Sequence, residues 1–380
     1  MATLRALRVP AGAAALSVLS PVADALAGRA ALLPVPAADE RETALLTSTL
    51  RAGTEIDDDV AVVVSTSGTT GRPKGAMLTA AALTASAEAT HRRLGGAGQW
   101  LLALPAHHIA GLQVLVRSLV ADTTPVAIDA SFDAAQLVSA ISSMRPGRRY
   151  TSLVAAQLDK ALADPAATAA LASLDAVLIG GGPMPSGVAE RAAAAGIPVV
   201  RTYGMSETAG GCVYDGRPLD GVRVRLTDGR IALGGPTLAK GYRNPVSPDP
   251  FAEPGWFLTD DLGALDDSGV LTVLGRVDDA ISTGGLTVLP RLVEDALSSH
   301  PAVADCAVFG LPDPRLGQRV VAAVVVAAPH PAPTLAELRA HVAARLDATA
   351  APRELHIVDA LPRRGIGKLD RRALIARLRG

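Results

Sequence analysis

The sequence predicts an α/β fold, with a large N-terminal α/β domain of mostly parallel sheets and a small β subdomain, followed by a small α+β C-terminal domain. Three observations predict this. Up to about residue 210, apolar strand-like segments alternate with helical ones. Beyond it, short β segments alternate with turns, and from residue 275 helices and strands are mixed. The chain therefore divides into predicted domains 1–275 and 276–380.

In the first domain, periodicity indicates parallel strands separated by helices, while residues 1–55 are assigned only loosely. The predicted strands are 60–65, 100–104, 150–154, 176–179 and 199–202. The predicted helices are 79–94, 109–121, 157–162 and 186–195. Further along, short β segments are predicted at 222–226, 230–233 and 271–274, then a helix at 290–298, strands at 304–309 and 320–326, and a helix at 335–346.

Composition excludes several classes of protein. The 380 residues carry a net charge of −1, are 49% hydrophobic and 19% charged, and show no basic excess that would suggest a nucleic-acid partner. No apolar run approaches the ~20 residues that span a membrane, so we expect no membrane insertion. The two cysteines, Cys212 and Cys306, are far apart, which argues against a zinc site or a disulfide scaffold and favours the reducing cytoplasm.

A glycine- and hydroxyl-rich loop follows the first predicted strand and reads Ser65-Thr66-Ser67-Gly68-Thr69-Thr70-Gly71-Arg72-Pro73-Lys74-Gly75. Its glycines allow backbone N–H groups to approach phosphate oxygens, its hydroxyls add donors, and Lys74 adds a compact positive charge. The loop therefore predicts a triphosphate site. It is not a Walker A loop, because Pro73 precedes Lys74 and Gly75 follows it.

This loop resembles the signature loop of the adenylate-forming superfamily, which includes acyl-CoA synthetases, luciferases and the adenylation domains of peptide synthetases. The resemblance implies ATP and Mg²⁺ as cofactors, coenzyme A as co-substrate and a carboxylic acid as substrate. It also implies that the C-terminal domain is a mobile lid. Besides loop residues Ser65 to Gly71 and Lys74, it implies nucleotide contacts from Gly181, Gly182, Pro183, Tyr203, Gly204, Ser206, Asp261 and Arg276.

Further segments resemble later motifs of the superfamily, in the same order. The resemblance implies that Glu207 binds Mg²⁺, that Asp278 is the hinge, and that Gly284 and Gly285 lie near CoA. Pro362 to Leu369 resembles the motif that carries the catalytic lysine, here Lys368. Residues 256–263 resemble the Thr-Gly-Asp motif with Asp260 in place of glycine, which leaves open whether Asp260 or Asp261 binds the ribose.

The lysine count supports two of these positions without any family. The chain has four lysines against 32 arginines, so arginine serves almost everywhere a surface cation is needed. Lys74 and Lys368 nevertheless both lie in glycine-rich segments. This indicates that each position needs a point charge on a flexible stem.

Two features of the sequence bear on which acid is activated. The segment 104–112 resembles the superfamily's acyl-pocket motif, with His108 beside the acyl group. The phosphate loop lies early in the chain, which indicates a shortened N-terminal region. Together with the Gly-Gly turn and the segment from Tyr203 to Asp220, this shortness resembles the o-succinylbenzoate–CoA ligases of menaquinone biosynthesis. Other aryl- or fatty-acyl-CoA ligases, an adenylation protein that loads a carrier-protein thiol, and a non-catalytic nucleotide-binding protein remain alternatives, and a homodimer stays open. An o-succinylbenzoate pocket must also hold a second, unreacted carboxylate. Candidate donors to it are Arg117, Arg148, Arg149, Thr151, Ser152 and Arg201.

Overall fold

The computed structural model describes residues 2–66, 72–364 and 368–379, with the backbone alone at residues 186, 364, 368 and 379. Two compact units are present. The first comprises Met1–Gly181, Ala192–Arg225 and Ala232–Thr259; the second comprises Gly182–Arg191, Leu226–Ile231 and Asp260–Gly380. The main division thus falls sixteen residues before the boundary predicted at residue 275.

The first sheet is built from the N-terminal region that the sequence pattern left unassigned. Its strands are β1 (Ala2–Val9), β2 (Ala31–Pro36), β3 (Glu55–Ile56), β4 (Val60–Val64) and β5 (Ala76–Thr79), in the order β3-β1-β2-β4-β5. The pairs β1–β2 and β2–β4 are parallel, and β3 and β5 close the edges antiparallel. Helices α1 (Leu19–Leu26) and α2 (Glu40–Thr49) connect the first strands. Every residue of β2 and β4 is buried, as expected of strands covered on both faces.

A second sheet has seven strands and positions the candidate adenine-side residues. These are β6 (Gln99–Leu102), β7 (Val126–Ala127), β8 (Arg149–Val154), β9 (Ala176–Gly180), β10 (Val199–Met205), β11 (Gly210–Tyr214) and β12 (Arg217–Pro218). The order is β12-β11-β10-β9-β8-β6-β7, parallel from β10 to β7 and antiparallel at β11 and β12. The helices in this part of the chain are α3 (Ala80–Arg93), α4 (Ile109–Val120), α5 (Ala134–Ser142), α6 (Ala155–Leu162), α7 (Pro165–Ala172) and α8 (Ser186–Ala194).

A four-stranded sheet follows, in the order β13-β14-β15-β16. Its strands are β13 (Arg223–Thr227), β14 (Arg230–Gly234), β15 (Trp256–Leu265) and β16 (Leu271–Arg276). It corresponds to the small β subdomain predicted from the short segments and turns after residue 210.

The C-terminal part of the second unit is a long hairpin covered on both faces. The sheet contains β17 (Ile281–Thr283), β18 (Leu286–Val288), β19 (Val303–Asp313), β20 (Gly317–Val326) and β21 (Glu354–Ile357). Side chains alternate, so Val308, Val320 and Val324 pack in one core with α9 (Pro290–Ser298) and α10 (Leu335–Ala343). Phe309 and Val321 face the opposite core, which α11 (Arg371–Arg379) covers through Leu374. Strands β22 (Arg363–Arg364) and β23 (Lys368–Leu369) pair antiparallel just before α11.

Two local differences from the sequence predictions have physical causes. Helix α10 ends at Ala343, three residues before the predicted Leu346, because Arg345 N and Leu346 N both donate to Val342 O and the regular i→i−4 ladder is broken there. Strand β2 contains Pro34 and Pro36, residues that normally argue against a central strand, and this is why residues 31–36 escaped assignment. Among the described residues, no helix is both long enough and apolar enough to cross a membrane.

Candidate active site

The phosphate loop leaves β4 and returns into β5, both in the first unit. Thr66 Oγ1 is buried and has no hydrogen-bond partner within residues 2–66, 72–364 and 368–379. Lys74 N donates to Thr66 O over 3.5 Å. Gly75 has φ +76°, and a Cβ there would lie 2.7 Å from Leu50 and 2.9 Å from Val63, so only glycine fits this turn. The loop residues Ser67, Gly68, Thr69, Thr70 and Gly71 lie outside the described part of the chain.

The return limb of this loop is held by residues 239–244, here called the anchor segment, which sequence reasoning did not select. Asn244 N donates to Lys74 O over 3.0 Å, and Asn244 Nδ2 donates to Pro73 O over 3.0 Å. Arg243 N donates to Gly75 O over 2.8 Å. Lys240 Nζ meets Asp57 and Asp59 at 2.8 and 2.7 Å. The anchor segment thus fixes the backbone on both sides of Lys74.

Glu207 lies in a one-turn 3₁₀ helix between β10 and β11, and only 7% of it is exposed. Thr208 Oγ1 accepts from Met205 N and donates to Gly210 O, which fixes the turn. Ala209, the next residue, has φ +52°, a left-handed conformation that is uncommon outside glycine. Its carbonyl accepts from Ser86 Oγ and Gln113 Nε2, at 3.0 and 2.8 Å. Two helices therefore hold a strained turn beside the candidate metal ligand.

The anchor segment also reaches Glu207. Tyr242 Oη donates to Glu207 Oε1 over 2.6 Å, and Ala239 N donates to the Glu207 carbonyl over 2.8 Å. Lys74 Nζ lies 5.2 Å from the centroid of the Tyr242 ring, within cation–π range. One side chain thus contacts both the lysine of the phosphate loop and the acidic residue.

The predicted adenine-side residues Tyr203, Gly204 and Ser206 lie at and just beyond the end of β10. A Cβ on Gly204 would lie 2.2 Å from Gly210 O, so the close approach of β10 and β11 requires glycine there. Gly181, Gly182 and Pro183 directly follow β9, which is parallel to β10. The carboxyl ends of adjacent parallel strands are where open α/β sheets bind ligands.

The predicted acyl-site histidine, His108, is the N-cap residue of α4. Burial lowers its pKa, and burial followed by the neighbouring His108 lowers the pKa of His107 to about 4. The two rings lie 4.2 Å apart. Both imidazoles are therefore neutral at physiological pH. They offer hydrogen bonds and apolar surface to an acyl group rather than positive charge.

Arg117, nine residues further along α4, is a buried cation. It is 3% exposed, its Nη2 donates to Tyr214 Oη over 3.3 Å, and its guanidinium lies 4.8 Å from the centroid of the Trp100 ring. Its Nε is buried without a partner, and no carboxylate pairs with Arg117 in the described part of the chain. Burial lowers its pKa, although guanidinium groups stay protonated in proteins.

The other candidate donors to a second carboxylate are placed differently. Arg148 has half of its side chain exposed and Arg201 has 70% of it exposed. Arg149 Nη2 donates to the Ser173 carbonyl. Thr151 and Ser152 are buried in β8, and Thr151 Oγ1 donates to Leu101 O. Among these candidates, Arg117 alone is a buried cation.

In the second unit, the ribose and hinge candidates form one charged cluster. Arg276 meets Asp278 in a bidentate pair, at 2.8 and 3.0 Å, and lies 3.5 Å from Asp261 and 3.6 Å from Asp260. The hydrogen bond with Asp278 is the largest cause that raises the pKa of Arg276. The side chain of Asp260 is 51% exposed and also bonds Arg230, whereas that of Asp261 is 14% exposed.

Gly284 and Gly285 form the two-residue turn of the β17–β18 hairpin, with φ of +58° and +81°. Two consecutive positive φ values strongly favour glycine in such a turn.

The predicted catalytic lysine, Lys368, begins β23. Its backbone lies opposite Arg364 of β22 in the antiparallel pair.

The described residues limit which metal and which nucleophile the site could use. No cluster of three or more His, Cys, Asp or Glu side chains suited to a metal ion occurs within the described ranges. A lone buried carboxylate fits Mg²⁺ that arrives with a nucleotide, because this ion takes one or two carboxylates plus phosphate oxygens. Cys212 and Cys306 are buried free thiols, and burial raises the pKa of each to about 12, so neither is an activated nucleophile.

Two protein-family models match most of the chain. Residues 22–243 match the AMP-binding enzyme family, and residues 292–368 match the AMP-binding enzyme C-terminal domain. The chain belongs to the AMP-binding enzyme family. The predicted family, fold class and enzyme class are confirmed.

Named members of the AMP-binding enzyme family resemble the chain closely. It is 69% identical to a probable 2-succinylbenzoate–CoA ligase of Mycobacterium tuberculosis over 99% of both chains. It is 35% identical to the 2-succinylbenzoate–CoA ligase of Bacillus licheniformis over 83% of this chain and 70% of that protein. The structure of o-succinylbenzoate CoA synthetase from Bacillus subtilis, in complex with its acyl-adenylate intermediate, matches with a TM-score of 0.82 and 27% identity, covering 98% of this chain and 88% of that one.

Among the residues around the candidate site, sequence reasoning missed the anchor segment. Lys240, one of the four lysines, offered a signal, because the same scarcity drew attention to Lys74 and Lys368. The Gly241-Tyr242 pair offered a weaker one. Neither signal revealed Glu207 as the partner of Tyr242, because 35 residues separate the two in sequence.

Proposed function

We propose that this chain is an ATP-dependent ligase that converts o-succinylbenzoate into its CoA thioester through an acyl-adenylate, releasing AMP and pyrophosphate. The 69% identity to a probable 2-succinylbenzoate–CoA ligase over 99% of both chains carries this proposal. The match extends over nearly the full length of both chains. A cytoplasmic location and a homodimer stay predictions of the sequence.

In the first half-reaction, a carboxylate oxygen of the acid attacks the α-phosphorus of ATP. A new P–O bond forms as the bond to the pyrophosphate oxygen breaks, and pyrophosphate leaves. Negative charge gathers on phosphate oxygens, so catalysis is mainly positioning and electrostatics. Residues 65–71 and Lys74 would hold the β- and γ-phosphates, and Lys368 would bridge the acyl oxygen and the α-phosphate. Mg²⁺, held through Glu207, would neutralise phosphate charge when bound.

The remaining nucleotide contacts are proposed from the motifs that follow the phosphate loop. Tyr203, Gly204, Ser206 and the 181–183 turn would surround the adenine. Asp261 is the better ribose ligand of the two aspartates, because it is the less exposed and Asp260 already bonds Arg230. Arg276, held by Asp278, would reach the nucleotide and add a positive charge to those of Lys74 and Lys368.

In the second half-reaction, the thiol sulfur of CoA attacks the acyl carbonyl carbon, the bond to AMP breaks, and the thiol proton passes to water. We propose that a rotation about Asp278 removes Lys368 and brings the Gly284–Gly285 turn to the CoA. Hinge closures of this kind are an ordinary device of two-domain enzymes. Neither cysteine takes part.

The second carboxylate of o-succinylbenzoate needs a cation, and we propose Arg117. A buried guanidinium without a carboxylate partner costs free energy, which a bound carboxylate offsets. His108, neutral and at the start of the same helix, would line the acyl group.

Product analysis with a panel of acids tests the proposed function. The protein, ATP and Mg²⁺ are incubated with o-succinylbenzoate, benzoate or a fatty acid, with CoA or a carrier protein, and AMP and thioester are measured. We expect o-succinyl-benzoyl-CoA to be the main thioester. Faster formation of another thioester would contradict the assigned acid or acceptor, and absence of AMP with every acid would contradict the ligase reaction.

The role of Lys368 is tested by separating the half-reactions. Because the lysine acts on the α-phosphate, Lys368→Ala should slow adenylate formation at least about 100-fold. Thioester formation from synthetic acyl-adenylate and CoA should stay within about threefold of the unsubstituted rate. Lys160→Ala, which removes an exposed lysine bonded to the Phe132 carbonyl, is the matched control and should change neither rate. Equal loss in both half-reactions would contradict the assigned role.

A further inference from the structure

Tyr242 contacts two groups that the proposed function assigns to metal and phosphate binding. Its hydroxyl donates to Glu207, and its ring lies under the ammonium group of Lys74. We propose that Tyr242 is a positioning residue that orients the Glu207 carboxylate for the metal and the Lys74 ammonium for the triphosphate. This inference rests on the proposed function and adds a residue to its machinery.

The hydroxyl fixes the carboxylate. The distance from Tyr242 Oη to Glu207 Oε1 is 2.6 Å, the length of a hydrogen bond to an ionised acceptor. Glu207 is 7% exposed, so water competes little with this bond. A fixed rotamer is the contribution that outer hydrogen-bond partners make to metal ligands.

The ring is itself held in place. Its edge contacts Phe251, with centroids 5.5 Å apart and planes at 79°, and Phe251 packs on the buried Phe257 at 4.8 Å. The Tyr242 backbone forms a bridge with Ala76, the first residue of β5. The anchor segment therefore holds both the Tyr242 ring and the backbone that carries Lys74.

The two contacts are chemically separable, which makes the inference testable. Tyr242→Phe removes the hydroxyl and keeps the ring, so it should affect the metal alone. Tyr242→Leu removes both, so it should affect the metal and the triphosphate. Tyr150→Phe is the matched control. Tyr150 is buried, and its hydroxyl donates to the carbonyls of Leu94 and Gly96, far in sequence from both groups.

Binding measurements test the inference without catalysis. Electron paramagnetic resonance of Mn²⁺, used in place of Mg²⁺, gives the metal's dissociation constant from the complex with ATP, and calorimetry in EDTA gives the affinity for metal-free ATP. We expect Tyr242→Phe to raise the Mn²⁺ dissociation constant about tenfold and to leave ATP binding in EDTA unchanged. Tyr242→Leu should match this loss and also weaken metal-free ATP binding about threefold.

Each other result overturns a defined part of the inference. A Mn²⁺ dissociation constant in Tyr242→Phe within about twofold of the unsubstituted protein would overturn the role of the hydroxyl. Equal binding of metal-free ATP by the Phe and Leu variants would overturn the role of the ring. If Tyr150→Phe weakened Mn²⁺ binding equally, the effect would be a general loss of packing, and the inference would fail. Absence of thioester formation by the unsubstituted protein would refute the proposed function, while the Mn²⁺ constants would still decide the role of Tyr242.

Discussion

The Glu207 turn in the first unit and the Asp260–Asp278 cluster in the second are both acidic, yet they are built in opposite ways. Glu207 is nearly fully buried, and the neutral hydroxyl of Tyr242 donates to its carboxylate. In the cluster, Arg276 meets three carboxylates that are 14% to 51% exposed, and Arg230 adds a second cation. Water screens a buried charge little, whereas it screens the charges of a half-exposed cluster, which also shares its cation among several carboxylates. We therefore expect large effects from single changes at the buried region and smaller, graded effects in the cluster.

The largest effect should come from Glu207→Gln. The amide keeps the shape of the side chain and an acceptor for Tyr242, but it loses the charge assigned to the metal. We expect the rate of adenylate formation to fall on the order of 10²–10³-fold, measured by stopped-flow release of pyrophosphate. Glu88→Gln, at an exposed position on α3, is the control. A loss under about threefold would contradict the expectation that a single change at the buried region has a large effect.

Arg117→Gln extends the comparison to the buried cation of the same unit. If Arg117 binds the second carboxylate, the KM for o-succinylbenzoate should rise about 50-fold, because a hydrogen bond to a charged group is lost. The KM for benzoate, which lacks that carboxylate, should not change. Arg201→Gln, whose side chain is 70% exposed, is the control. An equal rise in KM for both acids would show that Arg117 supports the fold rather than the substrate.

A smaller effect is expected within the charged cluster. Asp261→Asn should raise the KM for ATP about tenfold, whereas Asp260→Asn should raise it about twofold, because Asp261 is less exposed and Asp260 has Arg230 as a second partner. Steady-state kinetics with varied ATP measures both. The reverse order would assign the ribose to Asp260 and resolve the choice that the sequence left open.

The smallest effect concerns stability and pH. Burial, and then the charge of Arg117, lower the pKa of His91 from 6.5 to about 4. The unfolded chain therefore binds a proton that the folded chain rejects, and stability falls as the pH decreases from about 6.5 to 4. His91→Gln keeps an acceptor for Trp100 Nε1 and removes the titration. Urea unfolding should show the variant losing about 1 kcal/mol less than the unsubstituted protein between pH 7 and pH 5. If both proteins lost the same stability between pH 7 and pH 5, the lowered pKa of His91 would be contradicted.

The phosphate loop, the alternating strands and helices and the order of the later segments were all readable from sequence, because glycine-rich turns after buried strands are local signals. Tyr242 was not readable, since its role depends on a partner 35 residues away and on the fold of the anchor segment. The exposures of Asp260 and Asp261, neighbours in sequence, are likewise set by tertiary packing. The N-terminal strands were hidden by proline and alanine, which carry weak strand signals.

The measurement that tests the account most directly is exchange of labelled pyrophosphate into ATP, with o-succinylbenzoate present and CoA absent. An enzyme that forms an acyl-adenylate before it meets the thiol must catalyse this exchange. We predict exchange that depends on o-succinylbenzoate and Mg²⁺ and that stops when o-succinylbenzoate is omitted. Thioester synthesis without any exchange, or exchange with benzoate but not with o-succinylbenzoate, would contradict the account.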